Sequence, residues 1–293
     1  MSSPFEHYNA AFDPIALIQK YEKQDRVAAG GLLTNFLGVR IDPAAFGGLL
    51  AGHEGSVEPL PIPANWHADI AEWGAALRAV DHAKGLFRMV ELGCGWGCWL
   101  NNAGAAARSR GLEIDLIGIE GDDVHISSAV ATLKLNGFSP SEFRIIHGVA
   151  APSSGKALFP RSANPGGSWG SAPIFNASDE QLAEADRLGD YYILESFPLR
   201  EIVGDLPIDL LHIDIQGGEA DFIKSNFDDI KRYVRRVLIG THSRVIEGDL
   251  LEYMIRSGWL LEIERPAIFD ISDGVPVIRV DGVQLYANPA LVV

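Results

Sequence analysis

The sequence predicts an α/β fold in which a mostly parallel sheet carries helices on both faces. Three apolar segments carry this prediction: the segment around Val90, which ends in the glycine turn of residues 93–97, then Leu116–Glu120, then Phe143–Ile146. Helical spacing separates them, and strands that alternate with helices are typical of a parallel sheet. Ligands of such sheets bind beyond the carboxyl ends of the strands, so we expect the functional residues there.

The glycine turn is the first functional signal. Gly93-Cys94-Gly95-Trp96-Gly97 follows Glu91 and precedes a helical interval. Glycine lacks a Cβ atom, so it accepts positive φ and lets a ligand approach the backbone. The spacing differs from the dinucleotide pattern G-x-G-x-x-G, because the third glycine comes one residue early, and no G-K-[ST] ending of a P-loop is present. The turn by itself leaves a glycine-rich connection without a ligand open.

The pattern E-x-G-x-G-x-G resembles the first motif of class I S-adenosylmethionine-dependent methyltransferases, in which the turn wraps the methionine half of the cofactor. Glu120 ends the second strand, where an acid can accept hydrogen bonds from ribose hydroxyls. Asp122 begins the next helix, and the third strand leads into His147-Gly148-Val149. The resemblance implies S-adenosylmethionine as cofactor and a binding set of Glu91, Gly93, Cys94, Gly95, Gly97, Glu120, Gly121, Asp122, Gly148 and Val149.

Composition limits the partners. The 293 residues are 47% hydrophobic and 22% charged, which is typical of a globular protein. The net charge of −15 and the absence of an Asn-Pro-Pro-Tyr-like run argue against nucleic acid, which requires clustered Lys and Arg. We therefore expect a small-molecule acceptor. The sequence leaves open whether the protein forms a homo-oligomer.

Cysteine usage and the amino terminus predict a cytoplasmic protein without a membrane partner. Cys94 and Cys98 form no disulfide framework, and their C-x-x-x-C spacing is not that of a zinc or redox site. The first residues lack the basic and apolar regions of a signal peptide. The early uncharged stretch from Val27 to Val39 is too short to span a bilayer.

The chain divides unevenly. Residues 1–62 do not fit the strand–helix rhythm, and we expect an N-terminal helical extension that either packs on the core or covers the active site. Residues 63–293 form the predicted catalytic domain, with a helix that Asn65 caps and an irregular insert at about 151–190. Within that insert, Trp169 either stacks on an acceptor or anchors the loop on the core.

A second cluster surrounds Asp214. The strand Ile208–Ile213 places Asp214 at its carboxyl end, and Glu219 begins the following helix. His242 follows the next strand, Arg236–Gly240, so both side chains should face the ligand crevice. His212 lies deeper on the same strand as Asp214, and we interpret it as a buried structural histidine.

These residues resemble a narrower family. The run His212-Ile213-Asp214-Ile215-Gln216-Gly217-Gly218-Glu219 looks like the I-D-[VI]-[EQ]-G-x-E signature of FkbM-type methyltransferases, and so do Ile239–Arg244, Gly258-Trp259 and Asp281–Gln284. The resemblance implies a Rossmann-like class I fold with a seven-stranded sheet, S-adenosylmethionine as donor, and a hydroxyl acceptor such as a sugar or polyketide-type metabolite. Trp96 and Trp99 depart from the usual first motif.

We expect a general base at the reacting hydroxyl, because an alcohol is a poor nucleophile until its proton begins to leave. Asp214 or His242 is the predicted base, with the other residue orienting it. A Mg²⁺ ion held by Asp214 and Glu219 has only weak support, since two acids five residues apart do not define a metal site. A non-catalytic binder of S-adenosylmethionine or S-adenosylhomocysteine and a nucleotide-cofactor oxidoreductase are the alternative functions.

Overall fold

A computed structural model describes residues 3–161 and 170–292. Its helices are α1 (Pro14–Lys20), α2 (Ile70–His82), α3 (Cys98–Ser109), α4 (Asp123–Leu135), α5 (Asp179–Leu188), α6 (Leu199–Val203), α7 (Glu219–Ser225), α8 (Phe227–Tyr233) and α9 (Arg244–Arg256). Two 3₁₀ turns cover Pro4–Glu6 and Pro43–Phe46.

The strands are β1 (Asn9–Ala10), β2 (Leu33–Thr34), β3 (Arg40–Ile41), β4 (Leu86–Leu92), β5 (Glu113–Glu120), β6 (Phe143–His147), β7 (Val149–Ala150), β8 (Gly155–Pro160), β9 (Ile174–Phe175), β10 (Tyr191–Phe197), β11 (Leu210–Ile213), β12 (Arg236–Thr241), β13 (Leu260–Arg265), β14 (Ile268–Ser272), β15 (Val275–Val280) and β16 (Gly282–Ala287). In the described residues no helix is long and apolar enough to cross a membrane.

The main sheet has the strand order β1-β13-β16-β12-β11-β4-β5-β6. Strands β4, β5, β6, β11 and β12 are parallel, whereas β16 runs antiparallel to both of its neighbours. The predicted α/β fold is therefore confirmed. The chain moves outward in opposite directions from β4 and β11, so their carboxyl ends mark the point where a ligand crevice forms.

The sheet holds eight strands instead of the predicted seven because the N-terminal segment adds an edge strand. β1 pairs antiparallel with β13 through Asn9 and Ala10. The same segment also contributes Ile18, Leu33 and Phe36, all fully buried, to the core beneath α2 and α3. It is thus packed on the core, and whether part of it opens over the site stays a prediction.

The helices cover both faces of the sheet, as the alternation of side chains along β4 requires. Phe87 and Met89 pack with α2 and α3, whereas Val90 and Leu92 point to the opposite core beneath α6–α9. The loops at the carboxyl ends of the strands therefore lie between two packed layers of helices, and both layers hold these loops in place.

Several predicted boundaries moved. The helix expected from Asn65 begins at Ile70, because Asp69 and Glu72 form a capping box. The apolar pattern of Val277–Tyr286 predicts a closing strand, but the structure has two strands there: β15 pairs with β14 in a separate hairpin, and β16 joins the main sheet. A second sheet has the order β7-β10-β8-β9, in which the insert supplies β8 and β9 and the flanking residues supply β7 and β10. Trp169 lies outside the described residues.

Candidate active site

Two cavities meet at the carboxyl ends of β4 and β11. The first has a volume of about 390 Å³. The second has a volume of about 260 Å³. Gly93, Gly95 and Asp214 line both cavities, so the glycine turn and Asp214 form the wall between them. The lining of the first cavity includes Ile119, Glu120, Gly121, His125, Gly148, Val149, Phe159, Gln216 and Asp281.

Gly93 lets β4 approach the end of β11. Its φ of +75° lies in the left-handed region, and a Cβ atom there would lie 2.0 Å from the carbonyl oxygen of Asp214. The N–H group of Asp214 in turn donates to the carbonyl oxygen of Leu92 at 3.1 Å. Any larger residue at position 93 would therefore push the two strand ends apart.

Glu120 closes the other end of the glycine turn. One carboxylate oxygen accepts from the N–H of Gly95 at 2.8 Å, and the other accepts from the N–H groups of Gly121 and Asp122 at 2.8 and 2.9 Å. His125 lies nearby, with its Nδ1 atom 3.9 Å from Glu120. The carboxylate is held by backbone donors at the edge of the first cavity, where ribose hydroxyls would also reach it.

Asp214 faces the cavities and His242 lies directly behind it. The Nε2 atom of His242 is 3.3 Å from Asp214 and 3.8 Å from Asp281, and its Nδ1 atom is 2.8 Å from Glu219. The side chain of Asp214 is 40% exposed, that of His242 only 14%. Three carboxylates from separate segments therefore surround one imidazole ring.

This arrangement keeps the histidine charged. Burial lowers the pKa of His242, but the hydrogen bonds and negative charges of Asp214 and Glu219 outweigh burial and raise the pKa to about 10. Burial raises the pKa of Asp214, but His242 outweighs that effect and holds the pKa below its usual value. At neutral pH the site therefore contains an imidazolium and an ionised Asp214.

Glu219 has a structural role that the sequence did not reveal. It is fully buried. Its Oε1 atom accepts from the N–H groups of Ile215 and Gly217 at 3.2 and 3.0 Å. The same oxygen lies against His242, so Glu219 fixes the loop after β11 and the ring together.

Within the described residues no group of three or more His, Cys, Asp or Glu side chains is arranged for a metal ion, so Mg²⁺ gains no support from this cluster.

The second cavity lies beneath the N-terminal segment and has several aromatic side chains in its lining. Phe46 and Leu49 of that segment form one wall, and Trp66, His67, Trp96 and Trp99 form the others. Carboxyl groups of Glu72, Glu91 and Asp214 and the ring of His212 also line it. The spacing of Trp66, Ile70 and Trp73 in the sequence predicts a core face for Trp66, because helical spacing does not distinguish a core face from a cavity wall.

His67 and Cys98 meet in the wall of the second cavity without forming a reactive pair. Nδ1 of His67 lies 3.4 Å from Sγ of Cys98. Burial lowers the pKa of His67 to about 3, and burial with the charge of Glu91 raises the pKa of Cys98 well above its usual value. Both groups are therefore neutral, which matches the expectation that the cysteines are packing residues.

The predicted cofactor residues occupy three kinds of position. Gly93, Gly95, Glu120, Gly121, Gly148 and Val149 line the first cavity. Glu91 and Cys94 line only the second, and Glu91 accepts from the N–H groups of Trp99 and Leu100 at the start of α3. Gly97 and Asp122 line neither, since Gly97 precedes α3 and Asp122 caps α4. Ligand contact by any of these residues stays a prediction.

Comparison with known proteins identifies the class of enzyme. No family model matches the chain. A protein of Jannaschia sp. (strain CCS1) named "Putative methyltransferase" is 49% identical over 274 residues, which cover 94% of this chain and 98% of that protein. The chain belongs to this methyltransferase family. The family favours methyl transfer over the oxidoreductase and non-catalytic alternatives.

Solved structures similar to the methyltransferase are also named as methyltransferases. Methyltransferase FkbM from Methylobacillus flagellatus KT aligns with a TM-score of 0.45 at 13% identity, covering 74% of this chain and 54% of that chain. The precorrin-6y C5,15-methyltransferase from Geobacter metallireducens GS-15 aligns with a TM-score of 0.39 at 10% identity, covering 72% and 86%. The chain thus spans about half the length of the FkbM structure.

Proposed function

We propose that the methyltransferase is of the FkbM type and transfers a methyl group from S-adenosylmethionine to a hydroxyl of a small molecule, either a sugar or a polyketide-type or glycosylated metabolite. One observation carries the proposal: the ionised carboxylate of Asp214 lies where the two cavities meet, beside the glycine turn, with a protonated His242 behind it. A donor on one side and an acceptor on the other would both reach this carboxylate.

The first cavity fits the donor. Glu120 presents a carboxylate to ribose hydroxyls, and the glycines at 93 and 95 leave the backbone open to the methionine half. Gly148 also lines this cavity, and a Cβ atom there would lie 2.6 Å from the ring of Phe197, so glycine permits the close packing of β10 beside it. When bound, S-adenosylmethionine supplies a methyl group that its sulfonium already makes electrophilic. The chain must therefore align the acceptor and remove its proton.

Asp214 suits the acceptor side. An alcohol needs a base within hydrogen-bond reach, and an ionised carboxylate accepts both the hydrogen bond and the proton. His242 holds a proton on each nitrogen at neutral pH, so we assign it the orienting role and assign the role of base to Asp214. Holding the acceptor in line contributes on the order of 7–11 kcal/mol to such reactions.

Two measurements test the proposal. Calorimetric titration with S-adenosylmethionine, and with NADH as the contrasting cofactor, should show binding of the first alone. Incubation with S-adenosylmethionine and a panel of sugar and polyketide alcohols, followed by mass spectrometry, should then show an O-methyl product and S-adenosylhomocysteine. Methylation only of nitrogen, carbon or sulfur on comparable acceptors would contradict the assignment.

A further inference from the structure

We infer that the second cavity seats the methyl acceptor and that this acceptor is a hydroxylated ring carrying a protonated amine. The inference rests on the proposed function and narrows its substrate class. It depends on three features of the cavity: its aromatic side chains, its carboxyl groups and the absence of Lys and Arg from its lining in the described residues.

The aromatic walls suit a small ring with apolar faces. Phe46 packs edge-on against Trp66 and Trp96, with ring centroids 5.1 and 5.4 Å apart. Trp66 and Trp96 are stacked at 5.9 Å. Indole faces bind apolar ring surfaces, and they also attract a cation within about 6 Å of the ring.

The polar lining favours positive charge. Glu72, Glu91 and Asp214 all face the second cavity. In the described part of the chain neither cavity is lined by Lys or Arg, and residues 162–169 contain neither type in the sequence. A phosphate or carboxylate on the acceptor would therefore lose its water without gaining a counter-charge, whereas an ammonium would meet three carboxyl groups.

Glu72 provides the nearest counter-charge for such an ammonium. Burial and the neighbouring Asp69 raise the pKa of Glu72 to about 8. In the free protein, the cationic neighbours of Glu72 therefore do not offset burial and the charge of Asp69. A cation bound in the cavity would favour the ionised form of this carboxyl group. The Nε1–H of Trp66, which also lines this cavity, is buried without a hydrogen-bond acceptor among the described residues.

The donor is a poorer occupant of this cavity. The cavity's volume of about 260 Å³ lies below the usual range for a drug-sized ligand, so it suits a single ring better than the longer donor. The first cavity, at about 390 Å³, already falls within the usual size of a small-molecule site. The N-terminal segment, which supplies Phe46 and Leu49, would then contribute to acceptor specificity.

A charge series on one ring tests this inference. The protein is saturated with S-adenosylhomocysteine and titrated by calorimetry with 2-aminocyclohexanol, cyclohexane-1,2-diol and 2-hydroxycyclohexanecarboxylate, which carry charges of +1, 0 and −1 at pH 7. We expect the amine to bind about tenfold more tightly than the diol and the carboxylate not to bind. Equal or tighter binding of the carboxylate would overturn the inference.

Variants test whether these ring compounds bind in the second cavity. Glu72→Gln should remove most of the preference for the amine, and Trp66→Leu should weaken the binding of the amine and of the diol alike. Glu113→Gln, an exposed acid at the opposite end of β5, serves as the matched control and should change neither. If Glu72→Gln weakens the binding of S-adenosylmethionine and leaves the binding of the amine unchanged, the second cavity belongs to the donor and the inference is wrong. Failure of the proposed function would instead appear as absent donor binding in the unmodified protein.

Discussion

The Nδ1 atom of His242 lies 2.8 Å from Oε1 of Glu219, and this contact joins the end of β12 to the start of α7. Glu219 is not among the residues that line either cavity, yet the same oxygen holds the backbone of the loop that follows Asp214. The opposite ring nitrogen points to Asp214. A buried acid thus sets the orientation and the charge of the ring beside Asp214.

The first prediction concerns the charge of His242. Because its pKa in the folded protein is about 10, against about 6.5 in an unfolded chain, the ring should stay doubly protonated at pH 8. Nitrogen-15 NMR of the imidazole should show two N–H groups at that pH. The Glu219→Gln variant removes one carboxylate and should shift the titration towards neutrality. A neutral ring at pH 7 in the unmodified protein would contradict the assignment.

The same shift predicts how stability depends on pH. Below about pH 6.5 both the folded and the unfolded states hold the proton, so the contribution of His242 is fully present. As pH rises towards 10 the unfolded state loses the proton first, and the contribution is progressively lost. The difference in free energy of unfolding between the unmodified protein and His242→Gln, measured by urea denaturation, should therefore shrink from pH 6 to pH 10. A constant or growing difference is the opposite result.

The second prediction separates chemistry from donor binding at Asp214. Asp214→Asn keeps the size of the side chain but loses the charge that accepts the proton. We expect kcat for methyl transfer to fall by about 10²- to 10⁴-fold, the usual contribution of a general base. The Kd for S-adenosylmethionine should change little. Asp228→Asn, an exposed acid on α8, is the control and should retain full activity.

The sequence predicted the residues around the first cavity better than those around the second, for a physical reason. The glycine turn and Glu120 lie within two neighbouring strands, so spacing along the chain translates directly into position at the sheet edge. Asp214 and His242 could be placed by the same rule. The sequence predicts Glu219 only as the first residue of a helix, because nothing in its spacing shows that it faces the ring of His242.

The second cavity could not be read from the sequence. It brings together Phe46, Trp66 and Trp96, which belong to three segments whose packing depends on the whole N-terminal region. Asp281 belongs to a run that resembles a family motif, but the sequence assigns it no role. In the structure it lies between β15 and β16, 3.8 Å from His242. Contacts between distant segments are what local periodicity does not encode.

The third prediction concerns Glu120. Its two carboxylate oxygens accept from three backbone N–H groups, and the Glu120→Gln variant turns an amide donor towards some of them. We expect a loss of about 1–3 kcal/mol in the free energy of unfolding from the unsatisfied donors. Affinity for S-adenosylmethionine should fall at least about tenfold, because a ribose acceptor is lost as well. Glu113→Gln on the same strand should leave both calorimetric affinity and stability unchanged.

The last prediction uses two glycines that share a backbone conformation but differ in surroundings. Gly93 has a φ of +75° and Gly85 a φ of +71°, so alanine at either position adds the same left-handed strain, about 1–2 kcal/mol. At Gly85 nothing lies within 4 Å of the added Cβ, whereas at Gly93 the carbonyl oxygen of Asp214 lies at 2.0 Å.

Gly85→Ala should therefore cost only the strain and leave methyl transfer intact. Gly93→Ala should cost more in the free energy of unfolding, because the ends of β4 and β11 must separate to admit the methyl group. That separation moves the carboxylate of Asp214 relative to the turn, so kcat should fall together with the affinity for S-adenosylmethionine. Denaturation curves and donor titrations of the two variants give the comparison. Equal losses at both positions would show that the close contact of Gly93 with Asp214 does not control the site.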